Sequence, residues 1–224
     1  MNADKIQDAI PIFPLPNVVF FPKTLLPMHI FEERYRELVT DALRGSNQIG
    51  MVLLKYGWEK DYFGAPQTHE IGCVGDIQFS EKLENGKYNI LLYGLCRIKI
   101  LQFVQESPYR IARVQFLKDR HVDHDDFNEH LETESFLRLV HKYLHLSGVK
   151  NVKDLFKIHA HSFESILNQA ASILDFSTQE KQALLELNSL EMRHAHLKSL
   201  IKEKLTVLKI ARTPKFVPED PSWN

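Results

Sequence analysis

The chain has 224 residues and a mass of 26.1 kDa, with 44% hydrophobic and 25% charged residues. That composition builds one large or two small packed domains and excludes a disordered chain. The formal charge of −1 leaves no overall field to attract nucleic acid or an anionic membrane. No apolar run approaches the roughly 20 residues of a membrane span, and Met1-Asn2-Ala3-Asp4-Lys5 lacks the pattern of a signal peptide. A cytoplasmic location follows as an expectation. Cys73 and Cys96, the two cysteines, lie in apolar runs and read as buried reduced thiols.

Taken in chain order, residues 10–118 read mainly as strands. Ile10 to Phe21 is apolar but carries Pro11, Pro14 and Pro16, which predicts an irregular, edge-like strand. Phe31, Tyr35, Leu38, Val39, Ala42 and Leu43 recur at helical spacing, with Gly45 at the stop. Ile49 to Tyr56 has strand length. Ile71 to Leu83 and Tyr88 to Val104 flank Glu84-Asn85-Gly86-Lys87, and Asn-Gly between apolar runs predicts a hairpin with a type I′ turn. Tyr109 to Leu117 alternates, with Ala112, Val114 and Phe116 on one face. These strands predict a small closed or half-closed antiparallel barrel.

Beyond residue 119 the pattern becomes helical. Phe136, Leu137, Val140, Leu144 and Leu146 form one apolar face, and Phe163, Ile166, Leu167, Ala170, Ala171 and Leu174 another. Ser177-Thr178-Gln179-Glu180 is a capping box. Leu190, Leu197, Ile201, Leu205 and Leu208 mark a last helix, and Pro214 and Pro218 end regular structure. The predicted units are a β domain over 8–118, a helical bundle over 119–212 and a loose tail over 213–224. Residues 119–134 carry a local charge of −6 and residues 193–215 one of +6. Two solvated faces, a basic stripe for an acidic partner or phosphates, and mutual pairing inside the fold all satisfy that pattern.

No motif compels catalysis. The phosphate loop, the dinucleotide turn and the nucleophile elbow are missing. His141 and His145 have a metal-sharing spacing, but Lys142 stands where a zinc protease needs Glu. His121 to Asp126 holds loose cation ligands without the Gly and distal Glu of a calcium loop. His29, among apolar neighbours, reads as a core histidine. No catalytic residue, metal or cofactor is expected.

The stretch Ile12-Phe13-Pro14-Leu15-Pro16-Asn17-Val18-Val19-Phe20-Phe21-Pro22, followed by Leu25-Leu26-Pro27-Met28-His29-Ile30-Phe31-Glu32-Glu33-Arg34-Tyr35-Arg36, is distinctive. It resembles the opening of the N-terminal, substrate-binding domain of Lon proteases. Gly72, Gly75, Asn85-Gly86, Gly94 and Arg97 stand in that family's order, and the helical half is similar too, so the resemblance covers roughly residues 10–205. Lys23, where a Gly is common, and Met28, where a Leu is common, depart from the pattern.

The resemblance implies an α+β fold, a PUA-like β pseudo-barrel with one helix followed by a helical bundle. The expected protein is stand-alone and bacterial, without ATPase motor or protease active site. It also implies a non-catalytic module that binds exposed apolar segments of unfolded or partly unfolded proteins, with a separate protease as a working partner. Pro22, Pro27, Phe31, Glu32, Arg34, Tyr35, Gly72, Gly75, Gly94 and Arg97 are the motif positions, expected to be structural. Phe31 is expected to close the barrel, and Arg34 and Tyr35 to bond or pack under the strands. The loop from Tyr56 to Pro66 carries Trp58, Tyr62 and Phe63, amphipathic aromatics suited to a peptide surface, and Met28 is expected to join them. An RNA-binding module using the basic last helix, or a hydrolase, is the alternative.

Overall fold

The computed structural model describes residues 7–61, 64–119, 128–149 and 162–212. Six strands come first: β1 (Gln7–Leu15), β2 (Leu25–Ile30), β3 (Gln48–Leu53), β4 (Ile71–Lys82), β5 (Tyr88–Gln105) and β6 (Arg110–Leu117). Helix α1 (Glu33–Arg44) lies between β2 and β3. The second half holds α2 (Glu129–Leu146), α3 (Phe163–Ile173), α4 (Thr178–Glu186) and α5 (Leu190–Arg212). The tail over 213–224, Tyr62, Phe63 and the segment His121 to Asp126 lie outside the described residues.

The strands run in the order β2-β5-β4-β3-β1-β6, and a further β5–β6 ladder closes five of them into a ring. Closure is possible because the 18-residue β5 serves two neighbourhoods. Its second half, from Arg97 to Gln105, pairs with β6. Its first half, from Tyr88 to Tyr93, pairs with β2 and with the far end of β4. Leu95 on β5 and Gln78 on β4 have no cross-strand partner, and these two bulges turn the β2–β5–β4 arm away from the ring.

Two features of the ring differ from the sequence expectation. The barrel is mixed, since β1 pairs in parallel with β3. β1 is also not an edge strand, because it joins β3 on one side and β6 on the other. Its prolines are tolerated because the two ladders barely overlap. Pro11 falls in the stretch paired only with β6, and Pro14 in the stretch paired only with β3.

Three apolar clusters organise the molecule. Ile10, Ile12, Val52, Val74, Ile98, Ala112 and Val114 fill the barrel. On the opposite face of the sheet, α1 packs Tyr35, Leu38, Val39 and Ala42 over Phe13, Ile49, Met51, Cys73, Ile90 and Leu92. The third cluster is the helical core, centred on Phe136, Val140, Leu167, Leu184, Leu197 and Ile201, and it takes in Val19, Phe21 and Leu53 from the β half. The bundle is thus seated on the barrel through shared core.

The capping box at Ser177 and Glu180 is formed, with each side chain bonding the other residue's backbone. The hairpin turn differs from expectation. Gly86 alone in the turn has a positive φ, its N–H donates to the Leu83 carbonyl, and the Leu83 N–H donates to that of Lys87. This is a three-residue loop with a glycine bulge, so Asn85 need not enter the left-handed region as a type I′ turn would require.

Candidate functional site

The motif residues are mostly explained by packing. Tyr35 is buried and stacks on Phe13 at 3.9 Å between ring centroids. Arg34 lies 4.6 Å over the Tyr35 ring and pairs with Glu32 at 3.0 Å. Pro22 is buried. Gly94 packs directly on the Phe21-Pro22 backbone, where a Cβ would stand 2.2 Å from the Phe21 carbonyl oxygen. Gly72 meets the Met51 carbonyl in the same way, at 2.3 Å, and Gly75 leaves room for the Phe20 ring.

Arg97 is a tie between the two halves. Its guanidinium, 2% exposed, donates to the Leu185 carbonyl at 3.1 Å and to Asp119 Oδ1 at 2.6 Å. The fully buried Arg193 of α5 donates to both oxygens of the same carboxylate, at 3.0 and 3.2 Å, and also to Asn168 and the Leu184 and Leu187 carbonyls. Two of the charges that make residues 119–134 acidic and 193–215 basic therefore meet inside the fold. Lys198 adds a third link to Glu132 at 3.0 Å, and Lys204 pairs with Glu180 at 3.6 Å. Glu164, beside this cluster, has its pKa raised by burial and then by the Asp119 charge.

Phe31 does not close the barrel. It stands before α1 rather than on it, 60% exposed, with its ring 6.4 Å from that of His29. His29 in turn is exposed rather than a core residue, and its Nδ1 lies 2.8 Å from Asn89 Oδ1. The reason is strand alternation. The Leu25–Ile30 run is a strand despite Pro27, and Leu25, Pro27 and His29 face away from α1 while Leu26, Met28 and Ile30 face its cluster.

The expected peptide-binding residues are not brought together among the described ones. Met28 pairs with Ile90 and is half-buried under the arm. Trp58 lies half-buried in a single 3-10 turn, Trp58–Asp61, beside a fully exposed Tyr56. That loop springs from the Ile71 end of β4, whereas Met28 and Ile90 align with Ser80. Nine residues of strand, on the order of 30 Å, separate those two levels.

Another surface was missed by the sequence reading: the arm face turned away from α1. Cross-strand register places Leu25, Tyr93 and Asp76 in one row, Pro27, Leu91 and Phe79 in the next, and His29, Asn89 and Glu81 in a third. The middle row is apolar and open, with Phe79 56% exposed. Leu25 is 38% exposed, and Phe31 continues the apolar surface past His29. The third row is hydrogen-bonded across all three strands, since Asn89 also donates to Glu81 at 3.1 Å. Alternation in β4 and β5 was readable, but it did not show that Phe79 is left open on this side by the described elements.

Burial raises the thiol pKa of Cys73 well above its ordinary value and that of Cys96 to about 11, so both stay protonated. His141 and His145 are exposed on α2. Among the described residues no cluster of three or more His, Cys, Asp or Glu side chains is placed to hold a metal ion. None of their helices is long and apolar enough to cross a membrane.

The model of the ATP-dependent protease La (LON) substrate-binding domain family matches residues 9–203. The Lon protease of Anaeromyxobacter dehalogenans is 31% identical over 217 residues, covering 94% of this chain and 25% of that protein. Lon protease 2 of Myxococcus xanthus is 30% identical over the same length, with the same coverage. The chain thus spans about a quarter of the length of these curated relatives. Among solved structures, a Lon N-terminal domain protein from Xanthomonas campestris superposes with a TM-score of 0.60 at 20% identity, over 88% of this chain and 98% of that one. The N-terminal domain of Mycobacterium avium complex Lon protease does so with 0.63 at 12% identity, over 88% and 99%. These likenesses confirm the α+β fold, and the match over nearly the whole chain settles its kinship: the protein belongs to the Lon substrate-binding-domain family.

Proposed function

We propose that this chain is a non-catalytic recognition module that binds exposed apolar segments of other proteins on the open face of the β2–β5–β4 arm. The observation that carries this reading is the solvent-exposed apolar row Phe79, Leu91 and Pro27, extended by Leu25 and Phe31. An apolar surface held on a sheet is preorganised, so an unfolded segment that covers it gains burial while only the segment loses freedom. Weak, sequence-tolerant affinity follows, as suits a module that meets many clients. The family's substrate-binding description supports the same role. The aromatic loop around Trp58 is the competing surface.

Fluorescence anisotropy with a labelled, unstructured peptide rich in Leu and Phe tests the proposal. Phe79→Ser should weaken binding about tenfold, the equivalent of about 1.4 kcal/mol, with little change in thermal stability, and Phe31→Ser should weaken it less. Loss of affinity in Trp58→Ser but not in Phe79→Ser would move the site to the loop. No binding by the intact chain would end the proposal.

A further inference from the structure

We infer that the arm prefers apolar segments flanked by basic residues and disfavours those flanked by acidic ones. The inference rests on the apolar reading of the arm and adds the chemistry of the occupant. Its ground is the charge left around the open row. Asp76 stands in the row on one side of Phe79, which continues to Gln48 of β3, and Glu81 ends the row on the other. Their hydrogen-bond partners are neutral amides: Gln78 donates to Asp76 at 2.8 Å, and Asn89 donates to Glu81 at 3.1 Å. None of the nine residues in the three rows is Lys or Arg.

Three of the neighbouring bases are directed elsewhere. Lys82 belongs to the opposite face, with its ammonium 5.7 Å over the Tyr88 ring. Arg36 extends from α1 to the inner side of the turn at Gly86. Lys23 stands near Glu164 and Cys96, where its charge lowers the pKa of both. Lys87, two residues before Asn89, shares the open face one row beyond Glu81, so the rows immediately flanking the apolar one carry the two carboxylates and the next carries a base.

An extended segment lying along the strands would place alternate side chains over successive rows, about 7 Å apart. An apolar side chain over Phe79, Leu91 and Pro27 then puts the residues two before and two after it beside Asp76 and Glu81. The complementary occupant has the order base, any, apolar, any, base. The same geometry brings acidic flanks against carboxylates, which gives discrimination by repulsion as well as attraction.

The test compares three labelled peptides that share one Leu/Phe core and differ only in their flanks, which are Lys, Gln or Glu. At low salt the Lys-flanked peptide should bind the intact chain about tenfold more tightly than the Glu-flanked one, with the Gln-flanked peptide between them. The gap should shrink as salt rises and in an Asp76→Asn/Glu81→Gln variant. Equal binding of the three peptides, with Phe79→Ser weakening all of them, would overturn this inference and leave the apolar reading standing. A gap undiminished in the double variant would also overturn it. Failure of all three peptides to bind would remove both readings.

Discussion

Asp119 holds two guanidiniums that the fold has taken out of water, Arg97 from β5 and Arg193 from α5. Removing the shared carboxylate leaves two like charges facing each other in a low-dielectric junction. Asp119→Asn keeps a carbonyl acceptor but removes the charge, so urea denaturation should show a loss of about 3 kcal/mol or more; a loss below about 1 kcal/mol would mean that the backbone carbonyls around the arginines suffice. Glu164 gives the opposite sign. Its folded-state pKa is raised, first by burial and then by Asp119. The folded chain then binds more protons than the unfolded one, and stability falls as pH rises from the ordinary carboxylate range through the raised value. Glu164→Gln should gain on the parent between about pH 4 and pH 7, read as the difference in Tm, and a constant difference would refute the linkage. Such roles were only partly legible. Arg97 was singled out by its motif, but its partner Asp119 lies in what reads as an acidic linker. Phe31 misled because its spacing fits the α1 pattern, while helix geometry begins only at Glu33.

At the scale of elements, α2 and α3 enclose His194 of α5 between Phe136 and Phe163, with ring centroids 5.5 and 5.1 Å away. Glu132 approaches its Nε2 only to 3.6 Å, beyond hydrogen-bond reach, and Lys198 stands on the same carboxylate. Burial, then the Lys198 charge, lower the pKa of His194 against the opposing pull of Glu132. The unfolded chain then binds the proton more readily. This contribution to stability is complete above the ordinary imidazole range and is lost as pH falls through it towards the lowered value. Between about pH 7.5 and pH 5.5 the parent should lose more Tm than His194→Gln does, whatever the variant's starting stability. Parallel curves would mean that other groups set the acid response. The helices themselves were legible, because a 3.6-residue apolar period survives burial on one side. β2 was not, since Pro27 argues against a strand unless the chain runs along an edge paired on one side only, as it does here with β5. The parallel β1–β3 ladder was equally hidden, because pairing partners leave no local pattern.

For the whole molecule, the change of character near residue 119 was plain in the sequence, and it suggested a β unit over 8–118 joined to a helical one. The packing is less divisible than that pattern implied. Val19, Phe21 and Leu53 belong to the helical core cluster, Gln182 of α4 donates to the Ile71 carbonyl at 3.0 Å, and Arg97 reaches the Leu185 carbonyl. Cutting the chain after residue 118 would bare those three apolar side chains and leave the Arg97 guanidinium without Asp119 or Leu185. A barrel made alone should therefore bind a hydrophobic dye and melt well below the intact chain. The intact chain should unfold in a single transition, followed in parallel by far-ultraviolet circular dichroism, which is dominated by the helices, and, in a Trp223→Phe variant, by fluorescence of Trp58 in the β half. If the two probes separated, or if a barrel over 8–118 melted at the temperature of the intact chain, the halves would be independent domains. The arm would then present its open face without help from the bundle.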